Sequence, residues 1–331
     1  MTKTVKCAVP AGDRCGEGSV WHDLEQALYW VDINRFLIHR FDPATENVRT
    51  WQFAEPVTAL NLTADPNVLL VAFASRIALW KPSTNAIQRE IYRVPTSPRM
   101  RCNDARVDPR GSLWMGTMLN NVGPDGEDLE LDWKDGVLYR IDPDGQVSEW
   151  KRNIGIANTV AWSPDASTFY FADTPANVIY AYDYDISTGA ISRERPFLTN
   201  QPGRPDGSVT DAEGYLWNAR PGDGSVVRIS PAGVITERVP LPCSRPTTCI
   251  FGGPDLRTLF IASIRSEHRL SGSIFSLQTE VPGLPPTRFG AKTATAMTPP
   301  RPCQPHPKRH APTGSRTQPD APTAGKAARR R

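Results

Sequence analysis

Long apolar segments are missing from this chain of 331 residues. The longest apolar run, residues 68–80, spans 13 residues and is interrupted by Arg76, whereas a membrane-spanning helix needs about 20. The first ten residues also lack the apolar centre of a signal peptide. We therefore expect a cytoplasmic protein, monomeric and without a membrane partner.

Several familiar functional motifs are absent as well. The six cysteines form no Cys-x-x-Cys pair and the five histidines show no metal-ligand spacing, which indicates reduced thiols without a disulfide framework or zinc site. No serine has glycine at both −2 and +2, and there is no phosphate-binding loop, G-x-G-x-x-G or H-E-x-x-H. These absences argue against a serine hydrolase, kinase, dehydrogenase or zincin of known motif.

The end of the chain has almost no apolar bulk. Residues 291–331 contain no Phe, Trp, Tyr, Leu, Ile or Val, eight prolines, and nine basic residues against the single acid Asp320. This segment therefore carries +8, and because the whole chain carries +3, the remainder carries −5. We predict a folded domain over 1–290 and a disordered, Pro-rich basic tail over 291–331. Without aromatic side chains for base stacking, the tail does not predict a nucleic-acid partner.

A pair of short apolar strands recurs six times at intervals of roughly 40 to 55 residues, which is typical of propeller blades. The first strands lie at 28–31, 68–71, 113–115, 168–171, 215–217 and 258–261. The second strands lie at 38–41, 77–80, 137–140, 178–181, 226–229 and 273–275. Turn tetrads of the Asp-Pro or Ser-Pro type lie between strands and begin at Asp42, Asp108, Asp142, Ser163 and Ser230.

This repeat predicts an all-β fold, a six-bladed β-propeller with about 48 residues per blade. The alternative is a large sandwich or two small β domains, but sandwiches lack this repeat length. In a propeller the N-terminal segment 5–9 is expected to be the outer strand that closes the last blade, because closure removes an open edge.

Polar residues recur at one position relative to the turns. Asn103, Asn158 and Asp206 each stand five residues before a turn residue, and Glu17 lies at the start of the first blade. In a propeller, such positions converge on the central channel. Carboxylate and amide oxygens meeting there would suit a divalent cation. Taken singly, each of these residues could equally be a plain turn residue or a surface acid.

At these same positions the sequence resembles the family of regucalcin, gluconolactonases and luciferin-regenerating enzymes. The matching blocks cover nearly all of residues 7–290; the most specific are 14–21, 28–33, 101–104, 107–111, 116–118, 162–165, 205–207, 211–217 and 251–253. The resemblance implies a six-bladed propeller with one divalent cation in a central metal-binding channel. It places the metal ligands at Glu17, Asn158 and Asp206, with Ca²⁺ or Zn²⁺ as the cation and Mg²⁺ or Mn²⁺ as alternatives.

The resemblance also implies a reaction, the hydrolysis of a sugar lactone to its aldonic acid. Arg101 and Asn103 would bind the lactone, and we expect Asp206 to accept the proton of the attacking water as the catalytic base. Asn121 belongs to the same substrate-binding set, although some relatives carry an acidic pair where this chain has Asn120 and Asn121. Two interpretations stay open: a non-catalytic calcium-binding protein of the regucalcin type, and a hydrolase of other esters such as phosphotriesters.

Two further departures concern the backbone. Thr159 and Ala105 stand where relatives carry glycine, so the local chain has less conformational freedom than in those relatives. A salt bridge between Arg101 and its neighbour Asp104 is the structural alternative to a role of Arg101 in substrate binding.

Overall fold

The computed structural model describes residues 4–130 and 134–291, all of which belong to one compact unit, residues 1–296. Apart from Ala291, the predicted tail lies outside the described residues. The described residues form strands and a single 3₁₀ turn, Ile33–Arg35. No helix among them has the length and apolar character needed to span a membrane. Their five cysteines are all free thiols.

The strands form six antiparallel sheets, which confirms the predicted six-bladed all-β propeller. Blade 1 contains β2 to β5: Gly16–His22, Ala27–Asp32, Leu37–Asp42 and Asn47–Gln52. Blade 2 contains β6 to β9: Val57–Thr63, Leu69–Phe73, Arg76–Lys81 and Ala86–Arg93. Blade 3 contains β10 to β13: Met100–Val107, Leu113–Leu119, Gly136–Ile141 and Val147–Ile154.

The remaining blades follow in chain order. Blade 4 contains β14 to β17: Ala157–Trp162, Thr168–Asp173, Val178–Asp185 and Ala190–Thr199. Blade 5 contains β18 to β21: Ser208–Thr210, Leu216–Arg220, Ser225–Ile229 and Ile235–Pro240. Blade 6 contains β22 to β24 and β1: Pro246–Gly252, Thr258–Ser263, Ile274–Gln278 and Lys6–Val9.

Both ends of the described chain add a strand to a blade. β1 pairs antiparallel with β24 on the outer edge of blade 6, which confirms the predicted closing strand. The last strand, β25 (Arg288–Phe289), pairs parallel with β6 of blade 2 and was not predicted. Phe289 is buried in the core between blades 2 and 3, so this strand fixes the end of the propeller.

The second and third strands of each blade are apolar because both of their faces are covered. Every residue of β3 is buried, for example, and Trp30, Trp80, Trp114 and Trp217 are among the largest fully buried side chains. The outermost strands are mostly exposed, as in β9 and β17, and carry polar residues. Burial between neighbouring sheets therefore supplies most of the apolar area that stabilises the fold.

Two of the predicted turn residues also anchor the turns to the core. The carboxylates of Asp108 and Asp211 are completely buried, and one oxygen of each accepts backbone N–H groups of its own turn. The other oxygen accepts the indole N–H of Trp114 at 3.0 Å or of Trp217 at 3.1 Å. Because each carboxylate joins a turn to the adjacent strand, these turns hold the register of the inner strands.

Candidate active site

The innermost strands of the blades are not regular, and their irregularities lie where the site residues are. β-bulges interrupt the pairing after Glu17 in β2, around Asn103 in β10 and after Asn158 in β14. A bulge re-aims side chains relative to the pleat. The residue after Glu17 is Gly18, with φ +56°, and a Cβ there would lie 2.6 Å from the carbonyl oxygen of Thr58 in the next blade. Glycine is therefore required where blade 1 approaches blade 2.

Asn103 and Asn158 contact each other directly. Asn103 Nδ2 donates to Asn158 Oδ1 at 3.0 Å and to the carbonyl oxygen of Ala157 at 2.9 Å. Asn158 Nδ2 donates to Thr174 Oγ1 at 2.8 Å, and Thr174 Oγ1 donates to the carbonyl oxygen of Pro205 at 2.7 Å. This chain of bonds fixes the orientation of both amides and joins blades 3, 4 and 5. Among the described residues Asn158 Oδ1 accepts only the bond from Asn103, so one of its lone pairs has no partner there.

Arg101 is buried and contacts the two asparagines that were predicted to share its role. Its Nε and Nη2 donate to Asn121 Oδ1 at 3.0 and 2.7 Å, and its Nη1 donates to Asn103 Oδ1 at 2.7 Å. Nη1 also donates to the carbonyl oxygen of Cys102 at 2.8 Å. Burial lowers the pKa of Arg101. Among the described residues Arg101 forms no ion pair with Asp104, and its hydrogen bonds go to the two asparagines and the main chain instead.

Asp206 lies just before β18, and its main chain is paired on both sides. Its N–H donates to the carbonyl oxygen of Ala219 at 3.1 Å, and the N–H of Gly207 donates to the carbonyl oxygen of Thr247 at 2.7 Å. The side chain differs, because its Oδ1 is buried without a hydrogen-bond partner among the described residues. Burial, and then the negative charges of Glu17 and Asp104, raise the pKa of Asp206 well above its ordinary value.

Glu17 lies in the same electrostatic environment. Burial, followed by the charge of Asp104, raises the pKa of Glu17 to about 8, although its Oε2 accepts the N–H of Gly18 at 3.1 Å. Burial also raises the pKa of Asp104. Three carboxyl groups from blades 1, 3 and 5 therefore lie close enough to oppose one another's ionisation.

Asp104 and Arg106 were missed as site residues in the sequence. Asp104 accepts the N–H of Val160 at 3.3 Å. The Nη1 of Arg106 reaches from blade 3 to blade 1, where it donates to the carbonyl oxygen of Ser19 at 2.7 Å. The charge of Arg106 lowers the pKa values of both Glu17 and Asp104. The signal that could have found them is their two-residue spacing on the predicted inner strand, which puts both on one face.

The donors present fit a hard divalent cation. Among residues 4–130 and 134–291, no group of three or more His, Cys, Asp or Glu side chains is arranged to chelate a metal. The predicted ligand set would not be found by that criterion, because it contains only two carboxylates, those of Glu17 and Asp206, and its third member is the amide of Asn158. Two observations fit a cation site built from oxygen ligands. The Oδ1 of Asp206 has no hydrogen-bond partner among the described residues, and the neighbouring acids repel one another.

Comparison with known proteins places the chain among relatives that include named lactonases. The family described as "SMP-30/Gluconolactonase/LRE-like region" matches residues 15–265. A 6-deoxy-6-sulfogluconolactonase of Pseudomonas putida is 34% identical over 293 residues, which cover 86% of this chain and 97% of the relative. A pentonolactonase of Haloferax volcanii is 33% identical over 299 residues, covering 86% of this chain and 98% of the relative.

A solved structure supports the same placement. The crystal structure of regucalcin from Agrobacterium tumefaciens, described as a calcium-binding protein, aligns with a TM-score of 0.80 at 27% identity. The alignment covers 87% of this chain and 98% of that chain. The match therefore extends over the whole propeller, including the four blades that carry the site residues.

Proposed function

Because the chain belongs to the SMP-30/gluconolactonase/LRE-like family, we propose that it is a divalent-metal-dependent hydrolase that opens a sugar lactone to its aldonic acid. The observation that carries this proposal is the unpartnered, buried Oδ1 of Asp206 beside two other acids. A buried carboxylate oxygen without a donor is costly unless a cation or a proton occupies the site.

Glu17, Asn158 and Asp206 would hold the cation. When bound, a divalent cation supplies a Lewis acid for the lactone carbonyl and lowers the pKa of water. Ca²⁺ or Zn²⁺ is the expected ion, with Mg²⁺ or Mn²⁺ as alternatives. Glu17 and Asp206 provide the negative charge, and the free lone pair of Asn158 Oδ1 provides a neutral third ligand.

Arg101, Asn103 and Asn121 would orient the lactone. The four hydrogen bonds of Arg101 use four of its five N–H groups, which leaves one N–H on Nη2 to donate to the substrate. The Nδ2 of Asn121 has no partner among the described residues, so it can donate to a sugar hydroxyl. The side chain of Asn103 already bonds Arg101, Asn158 and the carbonyl oxygen of Ala157, so it contributes by fixing the positions of Arg101 and Asn158.

Asp206 would accept the proton of the attacking water. Its Oδ1 is buried without a hydrogen-bond partner among the described residues, and burial together with the neighbouring acids raises the pKa of Asp206, which makes its carboxylate more basic than that of an ordinary aspartate. The polar, hydroxyl-binding character of the site supports a sugar lactone as the substrate, as do the names of the two lactonase relatives.

A lactone panel with metal control tests this function. The full chain would be assayed on glucono-1,5-lactone, on a pentono-1,4-lactone and on a phosphotriester, with a protein-free blank for spontaneous hydrolysis. We expect turnover of at least one lactone, loss of it in EDTA, and recovery on addition of a divalent cation. Metal binding without any turnover would favour the regucalcin-type alternative, and faster turnover of the phosphotriester would favour the other hydrolase.

A further inference from the structure

The end of β19 holds the segment that carries Asp206. Three consecutive residues of this strand, Asn218, Ala219 and Arg220, all contact residues 201–208. The central one does so through its backbone, because the carbonyl oxygen of Ala219 accepts the N–H of Asp206 and the N–H of Ala219 donates to the carbonyl oxygen of Gly207, both at 3.1 Å. The two flanking residues use their side chains.

Asn218 is completely buried behind Asp206. Its Nδ2 donates to the carbonyl oxygen of Asp206 at 3.0 Å and to Ser208 Oγ at 2.9 Å. The hydroxyl of Thr159 also donates to the carbonyl oxygen of Asp206 and lies 3.3 Å from Asn218 Nδ2. Thr159 has φ +54°, a left-handed conformation that is unfavourable for a β-branched residue. Its bond to Asp206 compensates for that strain.

Arg220 is 1% exposed and clamps the approach to Asp206. Its Nε donates to the carbonyl oxygen of Pro202 at 3.1 Å, and its Nη2 donates to those of Gln201 at 3.1 Å and Gly203 at 3.2 Å. Nη2 also donates to Asn177 Oδ1 at 3.0 Å in blade 4. Finally, Nη1 donates to Asn218 Oδ1 at 3.3 Å, which links the clamp to the amide behind Asp206.

All of these acceptors are neutral, and Arg220 forms no ion pair with a described carboxylate. Burial lowers its pKa to about 10, so it stays charged at neutral pH. A buried cation without a carboxylate partner contributes little to stability, because its desolvation offsets the hydrogen bonds. The geometry of Arg220 instead suits the positioning of a loop. Its planar guanidinium binds three successive carbonyl oxygens, those of residues 201–203, in a segment that has no strand pairing of its own.

We infer that Arg220 is a positioning residue: by fixing residues 201–203 and Asn218, it sets the carboxylate of Asp206 for the site. This inference rests on the proposed lactonase function. Arg220 touches neither substrate nor cation and acts through the main chain leading to Asp206.

A matched pair of variants tests the inference, Arg220→Met and Arg228→Met. Arg228 lies in the same blade on β20, is 15% exposed, and binds Asp211 and Glu213, whereas no hydrogen bond or ion pair joins it to residues 201–206 in the described part of the chain. For Arg220→Met we expect a metal Kd at least about tenfold weaker by calorimetry and a kcat at least about tenfold lower, with KM changed less. For Arg228→Met we expect a lower Tm with both constants within about twofold of wild type.

Two further measurements keep the test decisive. In hydrogen exchange by mass spectrometry, peptides covering 201–207 should exchange faster in Arg220→Met than in Arg228→Met. Arg220→Lys, which keeps the charge and can reach some of the carbonyl oxygens, should recover part of the metal affinity, and it replaces Arg220→Met should that variant not fold. If the Arg220 variants lose only Tm, with Kd, kcat and exchange of 201–207 as in wild type, Arg220 is merely structural and the inference is wrong.

Failure of the proposed function gives a different result. A wild-type protein that binds metal but opens no lactone would overturn the lactonase proposal, while the metal Kd and the exchange rates of the two variants would still confirm or overturn the role of Arg220. A wild-type protein that binds no metal would overturn both.

Discussion

Blades 1, 3, 4 and 5 differ from blades 2 and 6 in the polar side chains at or beside their inner strands. The first group presents Glu17, Asn103, Asn158 and Asp206. In blades 2 and 6 the corresponding bulges place Thr58 and Thr247, whose hydroxyls are buried and bind carbonyl oxygens of neighbouring blades. Thr58 Oγ1 donates to the carbonyl oxygen of Asn103 at 3.1 Å, and Thr247 Oγ1 donates to that of Gly16.

The two ends of the propeller attach to those same two blades. β1 completes blade 6, and β25 extends blade 2. Blades 2 and 6 therefore receive the two terminal strands and bond the main chain of their neighbours, while the other four carry the proposed site residues. In blades 1, 2, 3, 4 and 6 a bulge of the inner strand carries these residues, whereas Asp206 of blade 5 lies just before the regular strand β18.

The largest effect on function is expected from Asp206→Ala. The variant loses the proposed base and one anionic metal ligand together, so kcat/KM should fall by about 10³-fold or more. The fold should survive, because the main-chain bonds of Asp206 to Ala219 are retained. Steady-state kinetics on the best lactone, with circular dichroism as the control for folding, would measure both. A rate near that of wild type would show that Asp206 is neither the base nor a required metal ligand.

The closing strand of blade 6 should matter most for stability. Deletion of residues 1–9 exposes the edge of β24, so we expect a fall in Tm of about 10 °C or more, or aggregation. Truncation after Gly290 keeps Phe289 and β25, and should change Tm by no more than about 2 °C. Thermal melts of the two truncated proteins test this. The reverse result, in which the tail is essential and the N-terminal strand is dispensable, would contradict the conclusion that β1 closes the propeller.

Arg101→Lys should separate substrate binding from metal binding. Lysine cannot reproduce the paired bonds to Asn121 together with the bond to Asn103, so kcat/KM should fall about 10- to 100-fold. The metal Kd should stay within about twofold of wild type, since Arg101 is not a ligand. Kinetics and calorimetry on one preparation would decide; a large loss of metal affinity would show that Arg101 mainly maintains the structure of the channel.

The smallest effect is expected from Thr247→Val in blade 6. Loss of one buried hydrogen bond to Gly16 should cost about 1–2 kcal/mol of unfolding free energy. Because Thr247 supports the chain beside Glu17 without facing the substrate, kcat/KM should change by less than about threefold. Denaturant unfolding and kinetics would be compared with those of Asp206→Ala. A loss of activity as large as that of Asp206→Ala would end the distinction between the two groups of blades.

Much of the fold could be predicted because the second and third strands of each blade are apolar and evenly spaced. Outer strands such as β9 and β17 could not be predicted, because they are exposed and their sequences resemble polar loops, whereas the outer strand β1 was predicted from the need to close the ring. β25 could not be predicted either, because two residues paired parallel to a distant strand leave no periodic pattern. The recurrence of Asn103, Asn158 and Asp206 before turns predicted the inner strands only indirectly.

Asn103 and Asn158 were predicted from their repeated position before a turn, and Arg101 and Asn121 from the family resemblance. Arg101, Asn103, Asn121 and Asn158 do come together in the structure as one hydrogen-bonded set. Arg220 could not be predicted, because a buried arginine bound to carbonyl oxygens looks in the sequence like any exposed one. The role of Thr159 was equally hidden, since a residue in place of a glycine reveals the loss of freedom but not the new hydroxyl contact.

The central claim is that one divalent cation binds between Glu17, Asn158 and Asp206. Calorimetric titration of metal-free protein with Ca²⁺ and with Zn²⁺, alongside the Glu17→Gln variant, tests it most directly. For at least one of the two ions we predict one equivalent bound per chain, and an affinity in Glu17→Gln weaker by about 10²-fold, because one of the two anionic ligands is lost. Unchanged affinity in Glu17→Gln, or no binding of either ion by the wild-type protein, would contradict the account.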